Sequence, residues 1–166
     1  AAVAAARAAG IGRVLLASSS AVYGTGRAAP WDEDDAALPA SDYGRAKLDM
    51  EQACAGPGVT MLRIGNVAGA DALLTNPRRP LLLDTFADGH GPLRSYIGPQ
   101  TLALLLLALA AAPALPPVLN IAAPGPVDMA DLAAAAGLPV QRQPAPPGAI
   151  ARLLLATRRL ESLMPF

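Results

Sequence analysis

The sequence predicts an α/β fold, on three observations. Short apolar runs at residues 13–17, 59–64 and 117–122 are each bounded by Gly, Pro or Ser, the pattern of strands buried on both faces. A stretch with helix start and stop signals lies between the first two, and the order strand, loop, helix, strand implies parallel strands joined by crossovers. The 166 residues are 53% hydrophobic and 16% charged, which suits one domain with its own core and rules out a disordered chain.

The elements follow in order. Residues 1–9 are almost all Ala, a strong helix former, and Gly10 stops that helix. Residues 13–17 make the first strand, closed by Ser18, Ser19 and Ser20. Residues 24–40 hold Gly, Pro and the acidic run 32–35 and read as a long exposed loop. Ser41 can cap a helix from Asp42 to about Ala55, which Gly56-Pro57-Gly58 ends. The second strand is residues 59–64, and a Gly-punctuated loop follows at residues 65–69. Residues 77–99 are irregular. Pro99 can open a helix over residues 100–112, read as a buried core helix. Residues 117–122 form the third strand, Asp128 caps a helix to Ala136, the Pro-rich residues 139–147 read as a connector, and a last helix is expected near residues 149–155 or beyond.

Composition excludes several classes of function. Thirteen basic residues balance thirteen acidic ones without a basic stripe, so nucleic acid is a poor partner. One histidine, His90, cannot supply the paired imidazoles of most metal sites, and one cysteine, Cys54, permits no internal disulfide. The longest apolar run, residues 101–112, is far shorter than the roughly 20 residues that span a bilayer. With no secretory signal at the start, a cytoplasmic location is expected.

Chemistry concentrates in Asp42-Tyr43-Gly44-Arg45-Ala46-Lys47, where Lys47 is the sole lysine. Residues four apart on a helix share a face, and an ammonium beside a phenol favours the phenolate, so Tyr43 and Lys47 could trade a proton with a substrate hydroxyl or carbonyl. Spacing alone favours a packed tyrosine and a solvated lysine, since such pairs are common on helices. The serines at the preceding strand end favour the first reading, because ligands of open α/β sheets bind beyond the carboxyl ends of the strands.

Residues 15–24 (LLASSSAVYG), Pro30 with Glu33, residues 41–48 (SDYGRAKL) with Glu51, residues 62–69 (LRIGNVAG), Arg94-Ser95-Tyr96-Ile97 and Asn120-Ile121-Ala122 follow one another in an order and spacing that resembles the extended short-chain dehydrogenase/reductases, the NAD-dependent epimerase/dehydratase family. The resemblance covers nearly the whole chain. It implies a partial Rossmann-like, doubly wound parallel sheet lacking its first strands, with a small C-terminal substrate lobe. Residues 1–76 would be the C-terminal half of the NAD-binding sheet with the catalytic motif, and residues 77–166 mixed substrate-lobe and closing elements. Tyr43 would be the catalytic acid/base, Lys47 would hold the nicotinamide ribose and lower the Tyr43 pKa, and Ser19 would bond the reacting oxygen. Ser18 and Ile64 would join Tyr43 and Lys47 around NAD or NADP. Ser19, Ser20, Asn66 and Arg94 would meet the substrate, a nucleotide sugar or similar hydroxyl or carbonyl compound. An Asx turn for Asn66 and a surface role for Arg94 remain open beside this.

The implied activity is that of an epimerase or carbonyl reductase. Family dehydratases carry an acidic pair after the catalytic Ser/Thr, where Ser20 and Ala21 stand here. The family's opening strand and Gly-rich phosphate turn do not precede Ala1, so a truncated product or gene fragment that binds NAD poorly is expected. Gly24-Thr25-Gly26-Arg27-Ala28-Ala29 fits the dinucleotide pattern formally, but Pro30 and the acidic run follow where a helix should open. Residues 98–100 also depart from the family's usual run. The competing reading is a non-catalytic binding or assembly module that retains the fold without the dinucleotide loop.

Further residues carry bland expectations. His90 reads as an exposed loop residue, Cys54 as a small buried hydrophobe and residues 32–35 as a solvated loop. Trp31 could anchor its loop or cover a substrate. Ala46, Met50 and Ala53 read as core or dimer contacts, and in much of the family a homodimer forms through the Tyr43 helix.

Overall fold

The computed structural model describes residues 2–76 and 78–164. Ala1, Pro77, Pro165 and Phe166, which bound the expected first helix, the irregular stretch and the chain's end, lie outside the described residues. Helix α1 (Ala2–Ala8) is the alanine segment, and the chain leaves it through Gly10 at φ +72°, a left-handed conformation that a side chain would resist. Strand β1 (Val14–Ser19) runs into a 3-10 turn at Ser20–Val22. After the long loop, helix α2 (Asp42–Cys54) starts at Ser41, whose Oγ accepts from the Gly44 N–H at 3.1 Å. Strands β2 (Val59–Ile64), β3 (Asn66–Val67), β4 (Leu81–Thr85), β5 (Leu93–Arg94) and β6 (Tyr96–Ile97) precede helix α3 (Pro99–Ala111). Strands β7 (Val118–Ile121) and β8 (Val127–Asp128), helix α4 (Met129–Ala135), strands β9 (Val140–Pro144) and β10 (Arg152–Leu153) and helix α5 (Arg158–Leu163) complete the chain.

The three strands expected from the sequence form one parallel sheet in the order β1-β2-β7, with Ser19 opposite Ile64 and Ile64 opposite Ile121. Side chains alternate across central β2. Val59 and Met61 join Val3 of α1 and Cys54 of α2 on one face. Leu62 and Ile64 face the other way, against Leu105 and Leu109 of α3, Leu119, Ile121 and Leu160. Helices therefore cover both faces, as a doubly wound sheet requires. Each fully buried leucine here contributes roughly 1.5–3 kcal/mol by leaving water. A smaller lobe is stitched from short ladders: β3 with β6, β4 with β9, and β10-β5-β8. Among the described residues no helix is long and apolar enough to cross a membrane.

The structure corrects several expectations. The stretch 77–99 holds β4, β5 and β6, and the supposed connector 139–147 holds β9, paired in parallel with β4 from Leu81↔Val140 to Thr85↔Pro144. The last helix lies beyond residues 149–155, at Arg158–Leu163, and within 149–155 β10 pairs with β5 instead. These pairings join residues far apart in sequence, and two-residue strands leave no periodic trace. Helix α3 is not a buried core helix, because Leu104 and Leu107 are 69% and 70% exposed. A helix lying on one sheet face buries one stripe, and a uniformly apolar composition does not reveal which. Nor is β1 buried on both faces: Leu15 and Leu16 are half-buried and Ala17 is exposed.

The acidic run is not simply solvated. Glu33 is buried, and its Oε1 accepts from the Asn120 N–H at 2.9 Å. Asp32 and Asp34 reach Arg158 and Arg159 of α5. Trp31 anchors the loop: its N–H donates to the Leu154 carbonyl, its carbonyl accepts from the Ala156 N–H, and its ring stacks on Tyr23 at 5.3 Å. His90 is exposed as expected, and Cys54 is half-buried.

Candidate functional site

Helix α2 lies along β1 because one face of it offers what the strand end can accept. Gly44, Lys47 and Glu51 recur at helical spacing on that face. Gly44 meets the 3-10 turn so closely that a Cβ there would stand 2.1 Å from the Ala21 carbonyl oxygen. One turn on, the Lys47 ammonium donates to the Ala17 carbonyl at 3.0 Å. One turn further, Glu51 Oε1 accepts from the Ser18 hydroxyl at 2.5 Å. Backbone and side chains of residues 17–21 are thus held by three successive turns of the helix that carries Tyr43.

Tyr43 stands at the N-terminal end of α2, 58% exposed, with the Lys47 Nζ 5.8 Å from its ring centroid. Ser19 is half-buried, and its Oγ accepts from the Ala21 N–H at 3.2 Å, so its own proton is free for another acceptor. The structure brings Tyr43, Lys47 and Ser19 to the same end of the sheet. Strand alternation sends Ser18 to the α2 side, where its hydroxyl is committed to Glu51. The Ser18 hydroxyl therefore has no proton left to give a cofactor and can only accept. Ser20 is buried beneath the turn, and Ile64 lies opposite Ser19 in the ladder.

Asn66 and Arg94 lie on other strands, β3 and β5, and make no hydrogen bond to Tyr43, Lys47 or Ser19 among the described residues. Asn66 is paired with Tyr96, whose hydroxyl donates to Asp71 Oδ2 at 2.6 Å. Burial, and then the Asp71 carboxylate, raise the Tyr96 phenol well above its ordinary value, against the opposing pull of Asn66 and Arg94. The Arg94 guanidinium donates to the carbonyls of Leu93, Ala151 and Ile150 and has no carboxylate partner among the described residues. Burial lowers its pKa. A half-buried arginine satisfied only by neutral carbonyls keeps its charge available to an anion.

Sequence reading missed the polar chain beneath the site. Glu51 takes three hydrogen bonds of 2.8–3.2 Å from Arg63 as well as the one from Ser18. Arg63 also donates to the Tyr23 hydroxyl at 3.0 Å, and that hydroxyl donates to Asn120 Oδ1 at 2.8 Å. Asn120 reaches on to the carbonyls of Trp31 and Ala156. Burial acts against the Arg63 charge, but the bonds to Glu51 and Tyr23 more than offset it and raise its pKa. The available signal was an arginine and an asparagine set inside apolar strands, at Leu62-Arg63-Ile64 and Leu119-Asn120-Ile121.

Residues 1–91 match the NAD dependent epimerase/dehydratase family. Over 69 residues the chain is 41% identical to a UDP-glucose 4-epimerase of Azospirillum brasilense, a stretch comprising 38% of this chain and 20% of that protein. The structure of MoeE5 in complex with UDP-glucose and NAD is similar with a TM-score of 0.75 at 26% identity, covering 99% of this chain and 62% of that one. The NAD-dependent NDP-hexosamine 5,6-dehydratase TunA shares the fold with a TM-score of 0.76 at 24% identity, covering 99% of this chain and 60% of its own. The chain therefore spans less than two thirds of the length of these relatives.

Proposed function

The chain belongs to the NAD dependent epimerase/dehydratase family, and from that premise we propose that it carries the catalytic half of an NAD(P)-dependent epimerase or carbonyl reductase for nucleotide sugars. The observation that supports this reading is the grip of α2 on β1, with Gly44 on the Ala21 carbonyl and Lys47 on the Ala17 carbonyl, which holds the start of the Tyr43 helix against the strand end that carries Ser19. Tyr43 takes the proton of a substrate hydroxyl, or returns it to a carbonyl, with the Lys47 ammonium one turn along the same helix face. Ser19 holds the reacting oxygen through its free hydroxyl proton. Asn66, Ser20 and the uncompensated Arg94 orient the substrate, with Arg94 suited to its phosphates.

The residues present fit the nicotinamide-ribose end of the dinucleotide. Lys47 spends one donor on Ala17, which leaves two for ribose hydroxyls, and Ile64 lies next to Ser19 in the sheet. When bound, NAD supplies the hydride acceptor for the sugar carbon. Gly24-Thr25-Gly26 is followed by turns and not by a helix, so it makes no pyrophosphate cradle. Residues 1–76 act here as the NAD-binding and catalytic part and residues 77–166 as the substrate lobe and closing elements. The outer face of α2, with Ala46, Met50 and Ala53, is the surface for a second copy in the same reading.

The test is Tyr43→Phe in the complete protein, assayed for NAD-linked turnover of UDP-glucose. The phenol proton is needed in the transition state and not for binding, so turnover falls by at least roughly 100-fold while cofactor affinity holds. Wild-type turnover in this variant removes Tyr43 from the chemistry and favours the non-catalytic module.

A further inference from the structure

We propose that Glu51 is a positioning residue that sets the distance between the Ser19 strand end and the Tyr43–Lys47 helix. The side chain is buried, and every polar contact it makes points to that task. One oxygen takes the Ser18 hydroxyl at 2.5 Å, next to the reacting serine, and both oxygens take Arg63 of the central strand. Lys47 and Glu51 lie one helical turn apart and seize consecutive residues of β1, Ala17 through its carbonyl and Ser18 through its hydroxyl. With β1 fixed in its ladder with β2, loss of the second hold lets α2 shift on the strand about the Lys47 contact.

Stability alone does not account for this arrangement. The Glu51–Arg63 pair is 6% and 7% exposed, and a buried ion pair generally returns little more than its desolvation costs. What a carboxylate with four directed bonds supplies, and an apolar contact does not, is a fixed orientation. The network beyond it carries that orientation across the sheet. Arg63 holds the Tyr23 hydroxyl, Tyr23 holds Asn120, and Asn120 holds the loop and the C-terminal segment. The catalytic consequence rests on the proposed function, whereas the structural part stands on these contacts.

Because Lys47 is the sole lysine of these 166 residues, lysine-selective carbon-13 labelling of this chain yields one side-chain spectrum that reports this geometry without any assay of activity. Three folded variants are compared with wild type. Ser18→Ala removes one hydroxyl and no charge, Glu51→Gln removes the charge and keeps the shape, and Asp49→Asn removes an exposed charge from the same helix. Ser18→Ala and Glu51→Gln shift the Lys47 ε-methylene signals, and Asp49→Asn leaves them in place. Unmoved signals in folded Ser18→Ala overturn the proposal, as does an equal shift in Asp49→Asn. With NAD and UDP-glucose, Glu51→Gln lowers kcat roughly 10- to 100-fold at unchanged KM, the expected cost of a small misplacement. A kcat loss without a Lys47 shift also counts against it. Shifted signals in a chain whose wild type turns over no nucleotide sugar uphold the positioning and sink the enzymatic reading instead.

Discussion

The main sheet with α2 and the small lobe solve the problem of buried polar groups in opposite ways. Around β2, charged and polar side chains go inside and satisfy one another: Glu51, Arg63, Tyr23 and Asn120 are all buried, and each has named partners. In the lobe the strands are tied by short backbone ladders, and apart from Tyr96, whose buried hydroxyl meets Asp71, charged and amide side chains pair near water. Arg152 meets Asp88 with both side chains well exposed, and Gln143 reaches Asp84 at the surface. The buried side-chain polar atom without a partner among the described residues, Thr85 Oγ1, lies in the lobe. A directed network admits one arrangement, whereas short ladders with solvated pairs tolerate replacement. The first suits groups that must be held in one place, and the second a surface that can vary.

The contrast breaks most visibly at its ion pairs. Arg63→Ala leaves Glu51 charged, buried and unpaired, a loss of about 3–5 kcal/mol in denaturant unfolding. Arg152→Ala, which removes an exposed partner, leaves the unfolding midpoint where it is. Equal losses in the two variants dissolve the distinction between the regions.

A smaller effect sharpens the description of α2. Ser41→Ala deprives the Gly44 N–H of its acceptor and costs about 1 kcal/mol in the same measurement. Because that amide belongs to the glycine pressed on Ala21, the variant also raises amide exchange across the 3-10 turn at Ser20–Val22.

The mildest effect separates the two buried phenols. Burial raises the pKa of both Tyr23 and Tyr96, but Arg63 pulls Tyr23 back while Asp71 pushes Tyr96 further up. A phenol held protonated in the fold contributes stability that is complete below its ordinary pKa of about 10. That contribution fades as pH climbs from there through the folded value. Tm of the wild type therefore falls on the alkaline side of about pH 10, and Tyr96→Phe flattens the fall.

Legibility follows the same division. The three strands of the main sheet were readable because each is a continuous apolar run, and the start of α2 because Ser41, Asp42 and Gly56 mark its ends. Tyr43, Lys47 and Ser19 were singled out from helical spacing and a strand-end serine cluster, together with a family resemblance. Strands β5, β6 and β10 are two residues long and take their partners from remote parts of the chain, so no local pattern marks them. Ser18 was grouped with its neighbours because a sequence does not say which serine turns inward.

By itself the sequence determined the α/β class, the order of the main strands and which residue types could move a proton. Those depend on local periodicity and on chemistry that travels with each side chain. Only the tertiary structure decided that Glu51 faces Ser18, that Arg63 bridges Glu51 to Tyr23, and that the acidic loop clasps α5. Each of these joins residues from separate elements, and the energy that selects them, the cost of leaving a buried charge or donor unmet, exists only once the elements have come together.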